Sequence, residues 1–203
     1  MENYIDNLGQ NLTKRGFRFS YFETCEEAVS YITSLIPQKS SIGFGGSATV
    51  TECGLLDGLQ KRDYVLFHRA LCKDIPQKEI YKKMRDADWY ISSANALCQT
   101  GEIVNIDGRG NRVSSILDGP ENVIIICGVN KIVPDVSAGI DRTRNIASPK
   151  NCLRLGKKTP CAVTGSCSYC NSPDTICKAT VIQHHPMTDS TVYVVLINKN
   201  LGY

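Results

Sequence analysis

The run Val123-Ile-Ile-Ile-Cys127 carries no polar residue on either face of a would-be strand. Side chains alternate between faces along a strand, so both faces of this one must be covered. That is the pattern of a central strand in a parallel sheet with helices above and below. The rest of the chain supplies matching pieces. Residues 3–15 read as a helix and Phe17 to Phe22 as a short strand. Thr24 and Glu27 have capping-box spacing, Ala28, Ile32, Leu35 and Ile36 recur at helical period, and Pro37 ends that helix. Ser41 to Gly46 reads as a strand entering a glycine turn, with Ser47 as the N-cap of a helix to about Gln60. Tyr64 to His68 is the next strand. Pro76 opens a helix with Ile80, Met84 and Ala87 on one face, and Asp88 to Ser92 returns to strand. Glu102 to Ile106 and Arg112 to Ile116 are expected to form a hairpin about Asp107-Gly-Arg-Gly110. Asp135 is expected to cap a helix to about Asn145. Val181 to Gln183 and Val192 to Ile197 close the chain as strands. The alternation predicts an α/β fold, a mainly parallel sheet flanked by helices.

With 203 residues the chain is expected to form one domain, residues 1–203, with a cysteine-rich loop at 150–180 within it. A net charge of +3 with interspersed signs points to no nucleic-acid or membrane surface. The basic residues between Lys150 and Lys158 read as a solvated face. No apolar run approaches the ~20 residues of a membrane span. Met1-Glu2-Asn3-Tyr4-Ile5-Asp6 does not begin a signal peptide, so a reducing cytoplasm is the expected compartment.

Gly43-Phe-Gly-Gly-Ser47 stands between a strand and a helix. Glycines there allow backbone N–H groups close approach to an anion. Gly45, Gly46, Ser47 and Thr49 are therefore candidate anion-binding residues, with an unliganded β–α turn as the plainer reading. It is neither a Walker loop nor Gly-x-Gly-x-x-Gly. Ser47 and Glu52 are the candidate catalytic residues. Glu52 is placed either to act as a general base or only to complement the helix dipole. The small-residue stretch Ser92 to Glu102 adds Asn95, Thr100 and Glu102 as candidates for the same cleft, with turn or strand-edge residues as the plainer reading. Arg109, Arg112, Arg142 and Arg144 each suit a carboxylate, and the sequence does not choose among them.

Five of the ten cysteines lie between Cys152 and Cys177. Cys161, Cys167, Cys170 and Cys177 supply four thiols around a single Cys-x-x-Cys, with outer spacings of five and six residues. Zinc sites usually use two close pairs. A lone pair with single flanking thiols suits a [4Fe–4S] cubane better, with zinc the alternative. Structural disulfides are rare in a reducing compartment. Cys152 reads as a spare. His184 and His185, adjacent on a strand, point to opposite faces and do not share a site.

Gly45-Gly-Ser-Ala-Thr-Val-Thr-Glu-Cys-Gly-Leu-Leu56 resembles the glycine–serine–x–threonine motif of the LUD domain family, which includes the LutC-type lactate-utilisation proteins. Ser93-Ala-Asn-Ala-Leu-Cys-Gln-Thr-Gly-Glu102 resembles its second motif. Val123 to Lys131 and Val194 to Gly202 are similar to it as well. The resemblance implies a fold like the ribose-phosphate isomerase, glucosamine-phosphate deaminase and CoA-transferase group, and anionic substrates over the glycine turn. It implies a setting in the oxidation of a small 2-hydroxy or 2-oxo acid, with an iron–sulfur oxidoreductase subunit as a partner. The cysteine loop is similar to that of stand-alone LUD proteins of anaerobes and implies a protein holding its own cofactor. Two functions follow as expectations: an enzyme of small-acid metabolism, or a non-catalytic assembly or electron-transfer subunit with a structural zinc or cluster. Oligomeric state is left open, a homodimer included.

Overall fold

The computed structural model describes residues 2–203. The all-apolar run forms β7 (Asn122–Gly128), and its residues 123–127 are fully buried. Beside it lie β10 (Thr191–Ile197) and β4 (Trp89–Ser92), both parallel to it. The sheet is completed by β1 (Arg18–Phe22), β2 (Ser41–Phe44) and β3 (Val65–Phe67), in the order β1-β10-β7-β4-β2-β3, with every pairing parallel.

Alternate β7 residues feed two separate cores. Ile124 and Ile126 pack with α2 (Cys25–Leu35) and α4 (Leu55–Gln60) through Ala28, Ile32, Leu55 and Leu59. Val123, Ile125 and Cys127 pack with α1 (Glu2–Lys14) and α5 (Gln77–Arg85) through Leu8, Leu12, Ile80 and Met84. The molecule is therefore α/β, a mainly parallel sheet covered on both faces by helices.

A second sheet of four strands runs β8-β5-β6-β9: β5 (Ala96–Cys98), β6 (Ile103–Asp107), β8 (Ile132–Val133) and β9 (Ala179–Gln183). Here the expected hairpin is corrected. Residues Arg112 to Ile116 belong to a helix, α6 (Asn111–Leu117), and β6 pairs antiparallel with β5 on one side and β9 on the other. The cause is Asp107. Its carboxylate accepts from the backbone N–H groups of Arg109 (3.0 Å), Gly110 (3.1 Å), Arg112 (3.1 Å) and Val113 (3.2 Å). That side chain satisfies the first free donors of a helix, so the turn continues as helix instead of returning as strand.

Two helices also differ in length from their expected span. Ser47 does cap α3 (Ala48–Glu52), accepting from the Val50 N–H, but the helix ends at Cys53 and restarts as α4. Gly54 between them holds φ +73°, a left-handed conformation that glycine adopts without the usual steric cost. After Asp135, which caps α7 (Val136–Arg142), the chain continues through a wide π turn at 143–147 into α8 (Ser148–Arg154). Pro149 brings no N–H to the ladder and falls in the first turn of α8, where that loss is tolerated. A short α9 (Pro160–Thr164) then leads into the cysteine loop.

Candidate functional site

The carboxyl ends of β2, β4 and β7 open into a cavity of about 570 Å³, within the ordinary range of small-molecule sites. Gly46, Ser47 and Thr49 line it from the glycine turn, Ser93 and Asn95 from the segment after β4, and Lys131 from the turn after β7. Gly45 stands just behind this lining. A Cβ there would come within 2.6 Å of Ser92 Oγ and 3.0 Å of Tyr90 Oη, so the turn closes against β4 only with glycine. Of the anion-binding candidates, Gly46, Ser47, Thr49 and Asn95 thus reach one cavity.

Glu52, Thr100 and Glu102 do not reach it. The Glu52 carboxylate accepts from the Gly202 N–H at 2.6 Å and pins the closing segment of the chain. Thr100 donates to Glu102 in the β5–β6 turn, where Arg15 also binds Glu102. Ser47 lines the cavity, and its Oγ is committed to capping α3.

The walls are strongly basic. Arg69, Arg109, Arg112, Lys131, Arg154, Lys157 and Lys178 line the cavity, against the carboxylates of Asp107 and Asp174. This imbalance of seven to two is concentrated in a chain whose net charge is only +3. The basic stretch at 150–158, read above as a solvated face, sends Arg154 and Lys157 to this wall.

The cations fall into two groups. Arg112 is a strut: it donates to the carbonyl oxygens of Ser93 (2.9 Å) and Ile106 (2.8 Å) and to Asn95 Oδ1 (3.0 Å). Arg142, off the cavity, is another, donating to the carbonyl oxygens of Asn130 (3.0 Å) and Tyr203 (3.1 Å). Arg69 and Arg109 are held more loosely, both by Tyr81. Arg69 Nη1 donates to its hydroxyl at 3.2 Å, and the Arg109 guanidinium lies over its ring at 5.2 Å. Their remaining donors suit a bidentate hold on an anion. Arg144 lies over the Tyr169 ring at 4.8 Å, beside the cysteines instead.

Lys131 is the most deeply buried of the site residues the sequence reading missed, Arg69 and Tyr81 being others. It is 3% exposed, and its Nζ donates to Ser93 Oγ (2.7 Å), Thr49 Oγ1 (2.8 Å) and the Ala94 carbonyl (3.0 Å). All three acceptors are neutral, and among the described residues no carboxylate lies within ion-pair distance. Burial therefore lowers its pKa to about 8, with Arg142 and Arg112 adding to the fall and Cys127 and Glu52 opposing it. Its sequence signals were its place directly after the most apolar strand, at the end of the sheet where ligands bind, and its membership of the stretch Val123 to Lys131 that resembles the family.

All ten cysteines are free thiols. Cys161, Cys167, Cys170 and Cys177 line one cavity of about 20 Å³, and Cys152 lines it with them. Burial pushes the Cys152 thiol up to about 11; Thr159 opposes this, and Cys161 and Cys177 add to it. Among the described residues no three His, Cys, Asp or Glu side chains already stand in a metal-holding arrangement. The histidines are elsewhere: His184 lies 3.8 Å from Glu102, and His185 Nδ1 lies 2.9 Å from the Arg15 carbonyl. Among the described residues no helix is long and apolar enough to cross a membrane.

No curated protein matches the chain. Among solved structures, a DUF162 family protein from Deinococcus radiodurans is similar over 97% of both chains, with TM-score 0.57 and 13% identity. At that identity the likeness speaks for the fold alone. Ribose 5-phosphate isomerase A from Neisseria gonorrhoeae is similar over 56% of this chain and 52% of its own, with TM-score 0.34 and 18% identity, too distant to bear on fold or function. The family model that matches is the LUD domain, over residues 5–197. With nearly its whole length matched, the chain belongs to the LUD domain family.

Proposed function

We propose that this LUD protein binds, and acts on, a small organic acid of the 2-hydroxy or 2-oxo type that carries more than one negative charge, such as a phosphorylated or CoA-linked acid. The observation that carries this reading is Lys131, a buried cation at the cavity floor bonded only to neutral oxygens. A buried charge without a counterion is costly, and an anion in the cavity supplies one. The volume supports the plural charge, because a bare three-carbon acid fills only a small part of about 570 Å³ and leaves Arg69, Arg109, Arg154 and Lys178 unused. Calorimetric titration with phosphoenolpyruvate, pyrophosphate, pyruvate and L-lactate tests it. Phosphoenolpyruvate and pyrophosphate are expected to bind at least ten-fold more tightly than the two simple acids, and Lys131→Met to abolish the difference. Equal affinities for all four would overturn it.

The same proposal places a [4Fe–4S] cluster on Cys161, Cys167, Cys170 and Cys177, with zinc as the alternative. The donor set supports it, since thiolates suit both guests, and so does their sharing one cavity. A cluster held by all four would supply one-electron chemistry. Iron, acid-labile sulfide and zinc analysis of protein purified without oxygen distinguishes the guests.

A second reading, an assembly or electron-transfer subunit, has its own observation. Ile146, Leu153, Leu155, Val163 and Tyr169, five of the nine exposed large apolar side chains among the described residues, belong to the elements around the cysteines. Such exposure suits a protein partner, for example an iron–sulfur oxidoreductase subunit. Steady turnover of an acid by the isolated chain would exclude it.

A further inference from the structure

The four loop thiols gain a fifth from a different element. Cys152 is on α8, 1% exposed, and faces the same small cavity as the loop cysteines. Cys161, in the same cavity, pairs with Thr159 Oγ1 at 3.3 Å. A space of about 20 Å³ holds roughly one water-sized centre. That volume matches a single thiophilic ion once the sulfurs draw in to hold it, and a cubane requires the half-exposed Cys167, Cys170 and Cys177 to move outward.

Both segments that hold these thiols also build the anion cavity. On α8, Cys152 faces the sulfur cavity while Asn151 and Arg154 line the basic one. In the loop, Cys177 faces the sulfur cavity and Asp174 and Ile176 the basic one, and Thr175 lines both. The two cavities therefore share a wall. Whatever draws the sulfurs together repositions the cations on its other side.

We infer that Cys152 is a ligand of a thiophilic metal centre with the loop cysteines, and that filling this centre strengthens anion binding in the adjoining cavity. The inference rests on the proposed reading of both cavities. Each ligating thiol loses its proton to solvent and forms a sulfur–metal bond; with zinc, no electrons move. The coupling is reciprocal, so the anion tightens the metal by the same factor, and factors of about 5–150 are typical of such linkage.

The test uses reduced, chelator-stripped chain. Zn²⁺ is titrated against a competing chelator, with Fe²⁺ and sulfide as a separate arm, and pyrophosphate is titrated into stripped and loaded protein. Wild type and Cys72→Ser, whose thiol lies outside the cavity, are expected to bind Zn²⁺ at least ten-fold more tightly than Cys152→Ser. Loading is expected to raise wild-type pyrophosphate affinity about five-fold or more. In wild type alone, loading is also expected to slow iodoacetamide modification of Cys152 at least ten-fold, read by peptide mass spectrometry. That measurement decides even if Cys152→Ser does not fold. Unchanged Cys152 reactivity, or equal Zn²⁺ affinity in a folded Cys152→Ser, overturns its role as a ligand. Equal pyrophosphate affinity in stripped and loaded protein overturns the coupling while leaving the anion reading intact. Pyrophosphate binding in neither state brings down the anion reading instead.

Discussion

Lys131 sets function against stability at a single atom. In an unfolded chain its amine has an ordinary pKa near 10.5, and in the fold it titrates at about 8. A depression of that size corresponds to about 3 kcal/mol. Below pH 8 both states are protonated and the full penalty weighs on the fold. Between about pH 8 and 10.5 the unfolded state binds more protons, so this contribution makes stability rise with pH. Lys131→Met is therefore expected to raise the melting temperature at pH 7 while abolishing the preference for phosphoenolpyruvate over pyruvate. Thr49 Oγ1 and Ser93 Oγ, 3.4 Å apart, remain to pair with each other. Wild-type affinity for the anion should be full below pH 8 and decline above it. Near pH 8 binding should take up a fraction of a proton, measurable by calorimetry in buffers of different ionisation enthalpy. The sequence displayed the glycine turn, Asn95 and the four spaced thiols as candidates, because spacing and small-residue patterns are local, and it set Cys152 aside. It did not display Lys131, Arg69 or Tyr81 as site residues. A lone lysine after a strand looks like any surface lysine until the fold buries it.

At the level of elements, one carboxylate decides whether residues 111–117 are helix or strand. Asp107 satisfies four backbone donors and lies 4.0 Å from Arg112 Nε. Asp107→Ala is expected to cost about 3–5 kcal/mol, seen as a lower midpoint in urea with an unchanged slope. Asp107→Asn should cost less, since its amide oxygen still accepts. Because Arg112 also braces Ser93 and Asn95, the alanine variant should weaken anion binding in protein that is still folded. The hairpin expectation failed here for a physical reason. Asp-Gly-Arg-Gly fits a strand reversal and a helix start equally well, and the strand that settles the matter, β9, lies more than seventy residues downstream. Expectations resting on contiguous pattern fared better: the Thr24–Glu27 capping box, the Asp135 cap and the buried β7 all stand as read.

For the whole molecule, sheet order governs how the protein is made. Strand β10, near the end of the sequence, lies between β1 and β7, so β1 has no strand neighbour and β7 has only β4 until residues 191–197 are in place. During synthesis the emerging polypeptide must carry two bare strand borders through most of its translation, a period in which strangers compete for them. Deleting residues 191–203 should yield insoluble aggregate in place of a smaller soluble fold. Supplying that segment as a separate peptide during refolding should recover part of the yield. The gap between β1 and β7 is thus the last to be sewn, and the nascent chain needs shelter until then.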